Sequence, residues 1–189
     1  MKSISAFVHV TVDGFFAGPK GEIDWFKSIE KDDDFEAYTH ENAKSGSTLV
    51  FGRTTYDMMK SYWPTPDAIQ ADPDMARIMD ESPKIVFSKT LKSVEEGPNW
   101  KNIKLLHDID RDEMLKLKAQ SDVTILGSGS IVQQFTNIGL IDEFTLVVVP
   151  LVQGAGKYLF DGVRKTSLSL AFTRGFKNGV VVHRYKVRQ

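Results

Sequence analysis

Apolar residues along this chain recur with two spacings, and the changes between them mark out strands and helices. Residues 4–12 are dense in β-branched and aromatic side chains and are broken by Asp13-Gly14, which predicts a first strand running into a turn. Residues 15–25, punctuated by Gly18-Pro19 and Gly21, predict an irregular loop. Asp32-Asp33-Asp34 ahead of Phe35, Tyr38 and Ala43 predicts an acidic helix start on an amphipathic helix. Thr48-Leu49-Val50-Phe51 predicts a short apolar strand that enters Gly52-Arg53-Thr54-Thr55-Tyr56 and a helix carrying Tyr56, Met58 and Met59.

Pro64, Pro66, Pro73 and Pro83 crowd residues 62–83, which read as mostly loop with a short helix at 75–79, the segment freest to vary. Strands are expected at 84–88 and 102–106, and a helix at 111–118. Val123-Thr124-Ile125-Leu126 reads as a buried strand ending in Gly127-Ser128-Gly129-Ser130. A helix marked by Ile131, Val132 and Phe135 follows and is closed by Gly139. Residues 141–149, 168–173 and 180–187 read as strands, the last two forming a terminal hairpin. Strands alternating with helices, then strands alone, imply an α/β fold in one domain over residues 1–189. Its central mixed sheet would be mostly parallel, flanked by helices, with an antiparallel C-terminal edge.

Composition narrows the chemistry. A 189-residue chain that is 41% hydrophobic can bury a core, and the absence of cysteine excludes disulfides, thiolate metal sites and cysteine nucleophiles. With 24 Lys+Arg against 25 Asp+Glu there is no broad basic field for nucleic acid. Apolar runs are too short to span a bilayer, and Met1-Lys2-Ser3-Ile4-Ser5 lacks the apolar core of a leader, so a cytoplasmic protein without membrane partners is expected. His9, His40, His107 and His183 show no ligand spacing, and no metal site is expected.

Two segments share one design: a buried strand, a glycine, a small polar residue, then a helix. They are Val50-Phe51-Gly52-Arg53-Thr54 and Ile125-Leu126-Gly127-Ser128-Gly129-Ser130. Each sets helix N–H groups and the positive dipole end at the carboxyl edge of the strands, where ligands bind. Either glycine turn alone is equally well explained by tight chain reversal; two in one chain favour a phosphate-rich cofactor held between them. Arg53 opposes the helix dipole, which favours an anionic ligand beside it, or else it is an exposed guanidinium in water. Ser88-Lys89-Thr90 closes another strand at the same edge, and Arg53 with Lys89 suits an extra ribose phosphate, favouring NADP over NAD.

The order of these segments resembles the dihydrofolate reductase-like superfamily. Thr11-Val12-Asp13-Gly14-Phe15-Phe16-Ala17-Gly18, Gly139-Leu140-Ile141-Asp142-Glu143 and Val149-Pro150-Leu151-Val152-Gln153-Gly154-Ala155-Gly156 resemble more closely the C-terminal reductase domain of the bifunctional riboflavin-biosynthesis deaminase/reductase, in a stand-alone bacterial form. The resemblance covers essentially the whole chain and implies NADPH lying across the carboxyl edge of the sheet. Gly52, Arg53 and Thr54 would meet its phosphates, and Ser88 and Lys89 its adenosine ribose. Gly127, Ser128, Gly129, Ser130, Ile131 and Val132 would form the pyrophosphate turn, with Ala6 and Ala17 beside the nicotinamide. It also implies a homodimer.

On the acceptor side, His9 stands where riboflavin-pathway reductases carry a lysine, and residues 35–44 hold no arginine for a substrate phosphate. Glu22, at a set distance from Trp25-Phe26-Lys27, matches the acid beside the pterin in dihydrofolate reductases and is a candidate catalytic residue, or else a solvated loop charge. Asp13 is a second candidate, or else simple Asp-Gly turn chemistry. Trp25, Phe26 and Tyr56 are candidates to stack a flat ring, or else core. The expected activity is NADPH-dependent reduction of a pyrimidine- or pteridine-type heterocycle, nearest to 5-amino-6-(5-phosphoribosylamino)uracil reductase. The alternatives are a dihydrofolate reductase-type activity and a non-catalytic NADP-binding protein of this fold.

Overall fold

The computed structural model describes residues 2–188. The chain opens with β1 (Ile4–Thr11), β2 (Phe15–Ala17), a 3-10 turn (Asp24–Ser28) and α1 (Asp33–Ala43), followed by β3 (Thr48–Gly52) and α2 (Arg53–Tyr62). Next come α3 (Pro66–Ala71), α4 (Pro73–Glu81), β4 (Lys84–Phe87), β5 (Ile103–Leu106), α5 (Arg111–Gln120), β6 (Val123–Gly127) and α6 (Gly129–Asn137). β7 (Glu143–Val149), β8 (Lys157–Tyr158), β9 (Leu168–Gly175) and β10 (Val181–Val187) complete it. Eight strands form one sheet in the order β5-β4-β3-β6-β1-β7-β10-β9. Every pairing from β5 to β7 is parallel, whereas β10 runs antiparallel to both neighbours. This is the expected mixed α/β sheet with its antiparallel C-terminal edge.

Alternate residues of the central strands feed opposite faces, as a period of two requires. Ile4, Ala6, Val8 and Val10 of β1 join Ile125 of β6 and Phe144 of β7 on one face, where Met114 of α5 and Phe135 of α6 cover them. The other face carries two separate clusters. Val147 and Val149 pack with Phe35 and Tyr38 of α1. Leu49, Phe51 and Val86 pack with Tyr56 of α2 and Met79 of α4. β3, buried at all five positions, reads as an unbroken apolar run because both its faces are covered.

Two segments differ from expectation. Residues 62–83 are mostly helical: Pro66 and Pro73 each sit in the first turn, where a missing N–H costs nothing, and Thr65 and Asp72 cap the helices with their side chains. The prolines mark helix starts rather than a loop. Residues 15–25 are also more ordered than expected, because β2 pairs with β8 far along the chain, a partnership that local composition does not encode.

Candidate active site

On the face with two clusters, the clusters do not meet, and a cleft of about 550 Å³ opens between them. Its floor is the sheet itself, with Phe7 and His9 from β1, Leu49 from β3, and Thr124 and Leu126 from β6. Thr39 and Asn42 of α1 form one wall; Met58 and Met59 of α2 with Met75 and Met79 of α4 form the other. The volume lies within the roughly 300–1,000 Å³ of small-molecule sites.

The two strand-to-helix junctions meet at the carboxyl end of this cleft. Phe51 is registered with Gly127, and a Cβ on Gly52 would lie 2.6 Å from Ser128 Oγ, so only glycine lets the turns touch. Gly127 takes φ +122°, a conformation that L side chains rarely adopt. α1, α3, α4 and α5 are each capped by a side chain, namely Asp32, Thr65, Asp72 and Asp110, and each has an acid in its first turn. α2 and α6 have neither. Their starts are lined instead by neutral hydroxyls: Thr54 and Thr55 on α2, and Ser128 and Ser130 at α6, the latter pair 2.8 Å apart. Uncapped N–H groups, a positive dipole end and no competing carboxylate make these ends receptive to phosphate.

The expected cofactor residues distribute around this junction. Thr54, Gly127, Ser128, Gly129, Ser130 and Ala17 line the cleft, and Gly52 lies immediately behind Ser128. Ile131 and Val132 are core residues, contributing to the turn only through amides that donate to the Ser128 carbonyl. Arg53 is exposed, its Nη1 donating to Thr90 Oγ1 at 2.7 Å and its Nε 3.4 Å from Asp57. This ties it to the 88–90 loop, where the Ser88 hydroxyl accepts from the amides of Thr90 and Leu91. Lys89 is exposed opposite Asp108. Ala6 is fully buried in the core on the far face of β1 and does not reach the cleft.

The acceptor-side candidates separate more sharply. Glu22 is exposed and folds back so that its Oε2 accepts from the Lys20 amide at 2.8 Å; its neighbours Gly21 and Ile23 line the cleft, whereas Glu22 itself does not. Asp13 accepts from Thr11 Oγ1 (2.6 Å) and from the amides of Gln153 (3.1 Å) and Gly154 (2.8 Å). The Thr11 hydroxyl and those amides hold its carboxyl down at about 2, so it latches two loops together as an anion. Trp25 and Tyr56 are core residues, because each is taken up by an apolar cluster beside the cleft. Phe26 alone of the three aromatics lines the cleft, its ring 4.7 Å from that of His9.

Asp72 and Lys157 are lining residues that escaped the sequence reading, which names His9 only as standing where a lysine is found. His9 is packed among the rings of Phe7, Phe26 and Phe35, and burial pushes its pKa down to about 4, so it is neutral. Its place in the alternation of β1 was the available signal. Asp72 lies 2.7 Å from His40 Nε2 and lines the cleft from the start of α4, a helix hidden behind its prolines. Lys157 enters from β8. No cluster of His, Asp or Glu among the described residues is placed to hold a metal, and no helix among them is long and apolar enough to cross a membrane.

Comparison with known proteins agrees with this architecture. The family model of the RibD C-terminal domain matches residues 2–182. The uncharacterized protein YyaP of Bacillus subtilis is 31% identical over 173 residues, spanning 91% of this chain and 88% of YyaP. A putative riboflavin biosynthesis protein from Shewanella sp. PV-4 superposes with a TM-score of 0.75 at 23% identity, covering 99% of each chain. Dihydrofolate reductase from Enterococcus faecalis, in complex with NADP(H), superposes with a TM-score of 0.60 at 13% identity, covering 99% of this chain and 97% of that one.

Proposed function

The chain belongs to the RibD C-terminal domain family, and from that premise we propose that it is an NADPH-dependent reductase of a flat, pyrimidine- or pteridine-type heterocycle. The observation that carries this reading is the side-by-side placement of α2 and α6 at the cleft, the two helices whose starts carry neither a capping side chain nor an acid. The nearest named activity in the family's pathway is 5-amino-6-(5-phosphoribosylamino)uracil reductase.

The residues fit a dinucleotide. The amides at the start of α6 and the hydroxyls of Thr54, Thr55 and Ser128 would hold its diphosphate, and Arg53, steadied by Thr90, would meet the ribose phosphate that distinguishes NADPH. When bound, the reduced nicotinamide would supply a hydride to an electron-poor carbon of the acceptor, whose adjoining nitrogen would take up one proton. His9 is neutral and orients the acceptor through a hydrogen bond rather than by charge, while Phe26 beside it offers a flat wall. Phe7, Phe26 and the methionines exclude water from the ring. Asp13 stays ionised on its loop and Glu22 does not line the cleft, so neither of these two carboxylates supplies the proton.

Titrating the purified chain with NADPH and with NADH, followed by nicotinamide fluorescence, tests the binding step. Saturable binding that favours NADPH is expected, followed by loss of cofactor absorbance when a suitable heterocycle is added. Failure to bind either nucleotide overturns the proposal; binding without turnover on any pyrimidine or pteridine identifies a nucleotide-binding protein that is not a reductase.

A further inference from the structure

We infer that the acceptor half of the cleft takes an uncharged planar heterocycle with apolar substituents and an N–H or amino edge, and discriminates against phosphorylated forms of the same ring. This rests on the reductase reading for the role of the ring but on the cleft alone for its chemistry. Three sets of observations carry it.

The first is the wall. Met58 and Met59 of α2 and Met75, Ile78 and Met79 of α4 line one side of the cleft together, with Trp63 beside them. Thioethers are polarisable and adapt to flat π surfaces, and none of these six side chains carries a positive charge. A phosphate set against this wall would lose water without gaining a cationic partner from it, which makes its burial costly.

The second is where the cations are. Lys157 is the only Lys or Arg in the lining, and it enters from β8 beside Gly21, where a Cβ would lie 3.2 Å from its Nζ. α1, along the other wall, contains no Lys or Arg at all and offers Thr39, Asn42 and Ala43. On α2, Lys60 turns away to the Glu95 carbonyl, and Arg77 of α4 is exposed between Asp74 and Glu81. His9 is neutral, so the sheet floor supplies no charge either.

The third is Asp72, the only carboxylate in the lining. Its Oδ1 accepts from the Met75 amide at 3.0 Å, and its Oδ2 lies 2.7 Å from His40 Nε2. Each oxygen keeps a second lone pair, so the carboxylate can still accept from a ring N–H or amino group while repelling a phosphate. Residues 62–83, which build this wall, are therefore a specificity element.

The test uses riboflavin and flavin mononucleotide as probes, because they share one ring system and differ by a phosphate. Quenching of flavin fluorescence by the full chain, with and without saturating NADP⁺, gives both affinities. Riboflavin is expected to bind at least about tenfold more tightly. Ile78→Arg, at a position already part-exposed in the cleft, is expected to narrow or reverse the ratio. Equal or tighter binding of the mononucleotide to the wild-type chain overturns the inference, as does failure of riboflavin to bind to a chain that binds NADPH. A chain that prefers riboflavin but binds no nicotinamide nucleotide refutes the reductase reading and leaves the assignment of the pocket standing.

Discussion

The ring of Phe16 lies against Gly129 so closely that a Cβ built on the glycine would sit 2.3 Å from Cε1. One partner is on β2 and the other is the first residue of α6, so the contact joins the loop after β1 to the phosphate-receptive helix start. α6 is anchored by Ile131, Val132 and Phe135 in the core, which leaves the ring as the partner that must move. Gly129→Ala is expected to destabilise the fold by about 1–3 kcal/mol and to weaken NADPH binding. Phe16→Leu in the same background should recover most of the stability. A double-mutant cycle by denaturant unfolding reads the coupling, and strict additivity of the two changes would refute the contact.

Arg53 gives a second expectation. Its hydrogen bond to Thr90 holds the guanidinium over the 88–90 loop, whereas Lys89 is exposed and tied only to an equally exposed Asp108. Arg53→Ala should raise the dissociation constant for NADPH roughly tenfold, equivalent to about 1.4 kcal/mol, and leave NADH nearly unchanged. Lys89→Ala should have a smaller effect, because its side chain is 80% exposed against 50% for Arg53 and is therefore more fully screened. Equal loss for both nucleotides upon Arg53→Ala would remove the ribose-phosphate role.

How far the sequence foretold this arrangement depended on the range of the interactions involved. The sheet and both glycine junctions were legible because each is written in contiguous residues: β-branched runs, Gly52 and Gly127 at strand ends, Gly139 after α6. The acceptor side was not. Tyr56 and Trp25 look identical to cleft aromatics until packing assigns them to clusters, and His9 acquires its meaning from Phe26 and Phe35, which lie 17 and 26 positions away. The wall from α4 was obscured because prolines signal a break and a helix start with the same residue, and only the caps at Thr65 and Asp72 distinguish them.

The sheet ends on β9, whose outer edge has no neighbour among the described residues and whose Leu170 is 56% exposed. Such an edge is a template for pairing. We propose that it is covered in a homodimer, as the family resemblance implies. Light scattering should return twice the 21.2 kDa chain mass, and Leu170→Lys should shift the population toward one chain. A wild-type mass of one chain would overturn this.

His9 makes the last expectation, in which the sign of the pH dependence is decisive. Burial among three aromatic rings lowers its folded pKa to about 4 from 6.5. Below pH 6.5 the unfolded chain therefore takes up a proton that the folded chain refuses, and stability falls with pH until the folded imidazole itself titrates near 4. The full loss is about 3 kcal/mol. His9→Phe removes this titration but keeps the aromatic packing, so the stability difference between wild type and variant should shift by that amount between pH 7 and pH 4, in favour of the variant. Denaturant titrations at half-unit pH steps would measure it. Because the folded imidazole stays neutral down to about pH 5, any turnover by the intact chain should show no inflection near pH 6.5. An inflection there, or a stability difference independent of pH, would mean that His9 is solvated and charged, and the neutral, apolar floor inferred for the cleft would be wrong with it.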